Sequence, residues 1–229
     1  MLRKGIVSLC GLMVCLAVSS VHAGIVGSAT ANYTGNYTDG TLTIYGVANL
    51  TTVGGFYLQN KTGGTGDGVY PPNGTVYSVC VDLFQYVAPG SHTYDVRPTD
   101  EAPQPGSGMG VAKATLLAEL WGRYFSTAVT SGQKAEAFSA AVWEIVNESD
   151  ALLSVSVGTG FYCTGLATGM DTLANGWLAS LDGTGPMADL RAWTSPSYQD
   201  FVVQIPEPAS AALITLGGLA ALVRRRTAR

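Results

Sequence analysis

Two apolar segments at the ends of the chain leave only the stretch between them to fold in water, and this division constrains everything else. At the start, Arg3 and Lys4 precede an apolar run from Gly5 to Val18, then small residues ending Val21-His22-Ala23 before Gly24. A short basic stretch, an apolar run and a small-x-Ala exit form a signal peptide over 1–23, with Gly24 as the mature start. At the other end Ile205-Pro206-Glu207-Pro208 leads into an uncharged stretch, Ala209 to Val223, and then Arg224, Arg225, Arg226 and Arg229. As a helix 209–223 would span about 22 Å, short of the roughly 30 Å hydrocarbon core unless the arginines snorkel to extend it. A short apolar helix with a basic stop suits a transient anchor. Arginines on the cytoplasmic side leave the body outside the inner membrane.

The order Pro206-Glu207-Pro208, apolar helix, arginine cluster closely resembles the PEP-CTERM sorting tail of Gram-negative bacteria. That resemblance, over 205–229, implies recognition by an exosortase and removal of the tail near Pro206 to Pro208. Release, or attachment to the cell surface or its polysaccharide, would follow.

From Gly24 through Glu207, six basic residues (Lys61, Arg97, Lys113, Arg123, Lys134, Arg191) face sixteen acidic ones, a formal charge of −10. Nucleic acid is excluded as a partner, because phosphate contacts need clustered lysine or arginine. Low charge with abundant Gly, Ser, Thr and Asn fits an extracytoplasmic β-rich body. Cys10 and Cys15 leave with the signal peptide, so Cys80 and Cys163 remain. In an oxidising compartment an isolated pair defaults to a disulfide.

Along the body, 24–204, strand patterns come first. Ala31 to Leu58 alternates Tyr, Thr, Leu, Ile and Val with small polar residues. Asn60 to Asn73, dense in Gly, Thr and Pro, reads as loop. Thr75 to Phe84 reads as a strand with Tyr77, Val79, Val81 and Leu83 on one face and Val76, Ser78 and Cys80 on the other. One more strand falls within Val87 to Val96. After the Pro- and Gly-rich stretch Pro98 to Gly110 the period becomes helical at Ala112–Phe125 and Lys134–Asn147, with a weaker third helix at Thr168–Leu181. A final strand closes the body within 198–205. The fold class is α+β: strands over 31–96 forming a β-sandwich or barrel-like sheet, a helical insert over about 110–181, and the closing strand, flanked by the signal peptide and the C-terminal hydrophobic helix.

Chemistry is sharply limited by a single histidine in the body, His92, which precludes a two-histidine zinc motif or a His-rich metal site. No Gly-rich phosphate loop joins a strand to a helix. No cofactor, no metal and no enzymatic turnover are expected.

Three segments carry a more pointed pattern: Tyr77-Ser78-Val79-Cys80-Val81-Asp82-Leu83, Ala137-Phe138-Ser139-Ala140-Ala141-Val142-Trp143-Glu144-Ile145, and Tyr198-Gln199-Asp200-Phe201-Val202. From Tyr77 to Val202 the chain resembles the thioester domains of bacterial surface adhesins. Those carry a hydrophobic-Cys-hydrophobic strand, a middle helix with Thr-Gln-x-Ala-hydrophobic-Trp, and a late hydrophobic-Gln strand. Phe138 and Ser139 stand where the family has threonine and glutamine. The resemblance implies an internal thioester between the Cys80 sulfur and the Gln199 acyl group, with Trp143, Ser139 and Tyr77 shaping the site. It further implies covalent capture of an amine or hydroxyl on a surface polysaccharide or matrix partner, an adhesion role. Three alternatives stay open: Gln204 in place of Gln199, Trp143 as ordinary core packing, and a Cys80–Cys163 disulfide that leaves a non-reactive structural or carbohydrate-binding matrix protein.

Overall fold

The computed structural model describes residues 24–206 apart from 48, 150–151 and 157–159. The signal peptide 1–23, the apolar stretch 209–223, Glu207, Pro208, Arg224, Arg225 and Arg226 lie outside the described residues. Alternating β-formers at the start of the body give β1 (Gly27–Tyr37), β2 (Thr41–Gly46), β3 (Leu50–Val53) and β4 (Phe56–Gly66). The Cys80 segment gives β5 (Gly74–Cys80), and β6 (Ser91–Arg97) follows the Pro89-Gly90 break. Then come α1 (Gly110–Ala128), α2 (Gly132–Asn147), β7 (Phe161–Thr164), α3 (Met170–Ala179), β8 (Leu190–Thr194) and β9 (Phe201–Gln204).

Six strands close into an antiparallel barrel in the order β1, β4, β5, β9, β8, β6, with β6 returning to β1. Closure removes the unpaired edges that an open sheet would expose. Of the two sheet arrangements open from sequence, the structure is the barrel. The β1–β4 pair bends around it through irregularities at Thr30/Ala31, where β4 carries the extra residue, and at Tyr33/Gly35, where β1 does, each raising the local twist. A second sheet, in the order β3, β2, β7, lies outside the barrel.

Three departures from expectation have local causes. The Asn60–Asn73 stretch is not all loop, because β4 runs on to Gly66 against β1. A Cβ on Gly64 or Gly68 would collide with backbone carbonyls, so these glycines permit close backbone approach to β1. β7 interrupts the helical insert as a four-residue strand on β2. The closing strand is shorter than expected and follows β8, whose Leu-Arg-Ala-Trp-Thr sequence is too short to show a clear alternation.

The three helices appear where the helical period begins and ends, within a few residues. Ser131 caps α2, its hydroxyl accepting from the Lys134 N–H. That helix is buried on nearly every side, so it is the axis of the helical layer rather than an amphipathic cover. Phe56, Trp121, Phe125 and Phe138 form the seam between barrel and helices, with Trp121 stacked on Phe125 at 5.0 Å. Buried glutamates then fix loops to helices. Glu119 accepts from the Asp182, Gly183 and Gly185 N–H groups and from Arg123, and Glu136 accepts from Asp39 N–H and Thr38. Each carboxylate supplies the acceptors that irregular backbone lacks. Among the described residues no helix is long and apolar enough to cross a membrane.

Candidate thiol and amide site

Cys80 ends β5 with no exposed surface, on the inward face that also carries Val76 and Ser78. Gln199 sits in the turn just before β9. Antiparallel pairing of Cys80 with Phe201 continues one step further, where the Val81 N–H donates to the Asp200 carbonyl at 3.1 Å. This register carries Gln199 past the end of β5 and over Cys80, while the Gln199 N–H donates to the Tyr86 carbonyl at 3.1 Å.

The two side chains meet. Gln199 Nε2 lies 2.6 Å from Cys80 Sγ, inside the sum of their van der Waals radii. The amide C–N bond is about 1.33 Å, so Sγ is no more than about 3.9 Å from the Gln199 carboxamide carbon. A nucleophile about to attack sits roughly 3–3.5 Å from its electrophile. The Asp82 carbonyl accepts from both partners, from the Cys80 thiol at 3.0 Å and from Gln199 Nε2 at 3.2 Å. From the helical layer, Trp143 Nε1 donates to the Cys80 carbonyl at 2.9 Å. That bond ties α2 to the backbone of the thiol residue.

Electrostatics keep the thiol neutral. Burial pushes Cys80 up to about 12, only partly offset by hydrogen bonds from its surroundings. Asp200, next to Gln199, is raised to about 7, first by burial and further by the Asp82 charge, against the N–H groups of Gln104 and Ser195 that its carboxyl accepts. Burial also raises Asp82. No thiolate and imidazole pair is assembled here: His92 bonds the Pro89 carbonyl and its ring packs on Tyr198. Among the described residues there is no group of three or more His, Cys, Asp or Glu that could hold a metal ion.

The other singled-out residues are elsewhere. Tyr77 is on the opposite face of β5 from Cys80, packed edge-on against Phe56 and Phe125, so it does not shape the thiol's surroundings. Ser139 donates to the Gly55 carbonyl at 2.6 Å, holding α2 to the turn before β4. Gln204 is bound through its oxygen to Trp121 Nε1 at 3.0 Å, at the other end of β9. Cys163 is on β7 opposite Ile44, and both thiols are free, so the Cys80–Cys163 disulfide is corrected. The two residues lie on strands of different sheets, β5 in the barrel and β7 in the outer sheet.

Tyr57, Asp82 and Asp200 adjoin the pair, and Gln104 binds the Asp200 carboxyl, without having been singled out from sequence. Asp82 and Asp200 stand within two residues of Cys80 and Gln199, the one signal available. Tyr57 enters from β4 and packs on Phe201 at 5.4 Å, a proximity that no spacing encodes.

Residues 204–226 match the model of the PEP-CTERM protein-sorting motif. The match covers Pro206, Glu207, Pro208 and the three arginines, and it implies an exported surface protein that an exosortase processes after a transient membrane-associated step. No curated protein and no solved structure matches the chain, so nothing outside the molecule itself bears on the thioester resemblance.

Proposed function

We propose that the body is a covalent attachment module: an internal thioester between Cys80 and Gln199, which a partner's amine or hydroxyl opens at the cell surface. The observation that carries it is the 2.6 Å approach of Gln199 Nε2 to Cys80 Sγ in a site with no exposed thiol. In forming the bond, sulfur attacks the carboxamide carbon, the C–N bond breaks, and the thiol proton leaves with the amide nitrogen as ammonia. Burial keeps that proton on sulfur, so it must pass to the amide nitrogen as the sulfur attacks. Trp143 holds the Cys80 backbone, and the Asp82 carbonyl orients thiol and amide toward each other. Once an acceptor has attacked, the acyl group is consumed, so the module acts once rather than turning over.

The polarity of β9 fits the sorting tail. Gln199 precedes the strand and Pro206 follows it, so at most about 23 Å of extended chain separates the reactive end from the Pro-Glu-Pro triplet. While the tail holds the protein at the membrane, the site would face outward to the surface polysaccharide or matrix.

The test is the intact mass of the mature protein, purified from its host without reductant or added amines. A deficit of one ammonia is expected, absent in Cys80→Ala and converted by methylamine, which opens the thioester to a glutamyl methylamide and a free thiol, into a mass one methylene above that of the unmodified protein. Full unmodified mass in the wild-type protein overturns the proposal and leaves a non-reactive matrix protein.

A further inference from the structure

Gln199 is fully inside the site on one side and borders a groove on the other. The cavity, about 210 Å³, is lined by Tyr33, Asn36, Tyr57, Tyr86 and Gln199 with the β3 threonines and a few aliphatic side chains. It is the opening through which an acceptor would reach the Gln199 acyl group, and its chemistry is one-sided. Not one of its lining side chains carries a charge, although the body as a whole is strongly acidic. A lysine ammonium entering it would give up water and meet no charged side chain in the lining, which is costly. What the groove offers is aromatic faces with polar edges. Tyr33 and Tyr57 stand 6.1 Å apart and tilted, and the Tyr33 hydroxyl donates to Asn36 Oδ1 at 2.9 Å, which leaves the Asn36 amide N–H groups for another partner. Tyr86 stands at the rim, 88% exposed, on the residue whose carbonyl holds the Gln199 N–H. An exposed ring so placed is matched by a ligand with an apolar face and hydroxyl edges.

We propose that this groove takes an uncharged sugar ring, stacked on the tyrosines, and presents one of its hydroxyls to the Gln199 acyl group. The covalent step rests on the thioester proposed above; sugar binding does not. In that step the sugar oxygen attacks the thioester carbon, the C–S bond breaks, and the hydroxyl proton passes to the Cys80 sulfur. The products are a glutamyl ester of the sugar and a free thiol. A neutral polysaccharide is thereby favoured over a lysine-bearing protein as the surface partner.

Two experiments separate the claims. In the first, the Cys80→Ala protein, which has no thioester to form, is titrated with cellotriose, maltotriose and chitotriose by NMR. At least one should bind saturably, and Tyr33→Ala and Tyr86→Ala should each weaken it tenfold or more. The exposed Tyr86 ring can be removed without disturbing the core, so a loss there is not a folding defect. No binding by any of the three, or unchanged affinity in Tyr86→Ala, overturns the sugar groove. In the second, wild-type protein is offered the bound trisaccharide and Nα-acetyl-lysine methylamide together, and adducts are read by intact mass. A sugar ester that Tyr33→Ala abolishes supports the proposal, and preferential lysine capture insensitive to Tyr33→Ala overturns it. A mature protein lacking the ammonia deficit sinks the thioester alone, because the titration still decides the groove.

Discussion

The two ends of β9 each present a glutamine, and they do opposite things. Gln199 meets a buried thiol that also donates to the Asp82 carbonyl. Gln204 meets the indole N–H of Trp121 at the edge of the barrel, beside Pro206. The residue type is the same, and the five-residue spacing along an extended chain turns the two side chains to different faces. What differs is the neighbour, and hence whether the amide is an electrophile in waiting or a hydrogen-bond acceptor. A glutamine near a closing strand therefore says little until its partner is known.

The sharpest way to break this contrast is to truncate each glutamine. Gln199→Ala should erase the ammonia deficit of the mature protein completely, and Gln204→Ala should leave it intact. If Gln204→Ala also erased it, the two ends would not be chemically distinct.

The indoles offer the next test, since Trp143 serves the reactive end and Trp121 the other. Trp143→Phe leaves the Cys80 carbonyl unsatisfied in a fully buried setting and should cost about 1–3 kcal/mol in urea unfolding. It should also slow thioester formation, followed by mass in a refolding time course. Trp121→Phe should cost about 1 kcal/mol, because the half-buried Gln204 can turn to water. Its thioester should form at the wild-type rate, and a slowed rate would mean that the two ends are coupled through β9.

The smallest effect concerns pH. Asp200 is raised in the folded state to about 7 from an ordinary carboxylate value. The folded protein therefore binds a proton that the unfolded chain releases, so this group's contribution is largest in acid and is lost as pH rises from about 4 through 7. The slope is below about 1.4 kcal/mol per pH unit. Asp200→Asn should flatten stability against pH in that window, as read by chemical denaturation at several pH values. An unchanged slope would show that Asp200 is ionised in the folded protein. Glu119, at the loop far from the thiol, behaves in the reverse sense. Burial alone would raise it, yet the Gly183, Arg123 and Gly185 contacts outweigh burial and hold it below its ordinary value. Its contribution is present at neutral pH and is lost as pH falls through that depressed value.

Legibility from sequence follows the range of the interaction. The helices could be read because their period repeats over several turns, and β1, β2 and β5 because alternation runs through six or more residues. β7 and β8 could not, since four or five residues hold too little period, and β7 pairs with β2 and β8 with β6, both far back in the chain. At the site, Cys80 and Gln199 were singled out through short flanking patterns. Tyr57 and the free state of Cys163 were beyond reach, because each depends on which sheet a strand joins.

The chain's own order of residues determines its C-terminal sorting motif, its acidic and histidine-poor body, the helical periods, and the presence of a thiol and an amide at the ends of two strands. Those are local or compositional properties, set by neighbours within a few residues. Tertiary structure decides which glutamine the thiol meets, through the antiparallel register of β5 and β9. It also decides that Cys80 and Cys163 stay apart, and that an uncharged tyrosine-lined groove opens onto Gln199. Each of these is a contact between residues distant in sequence, fixed only when the barrel closes.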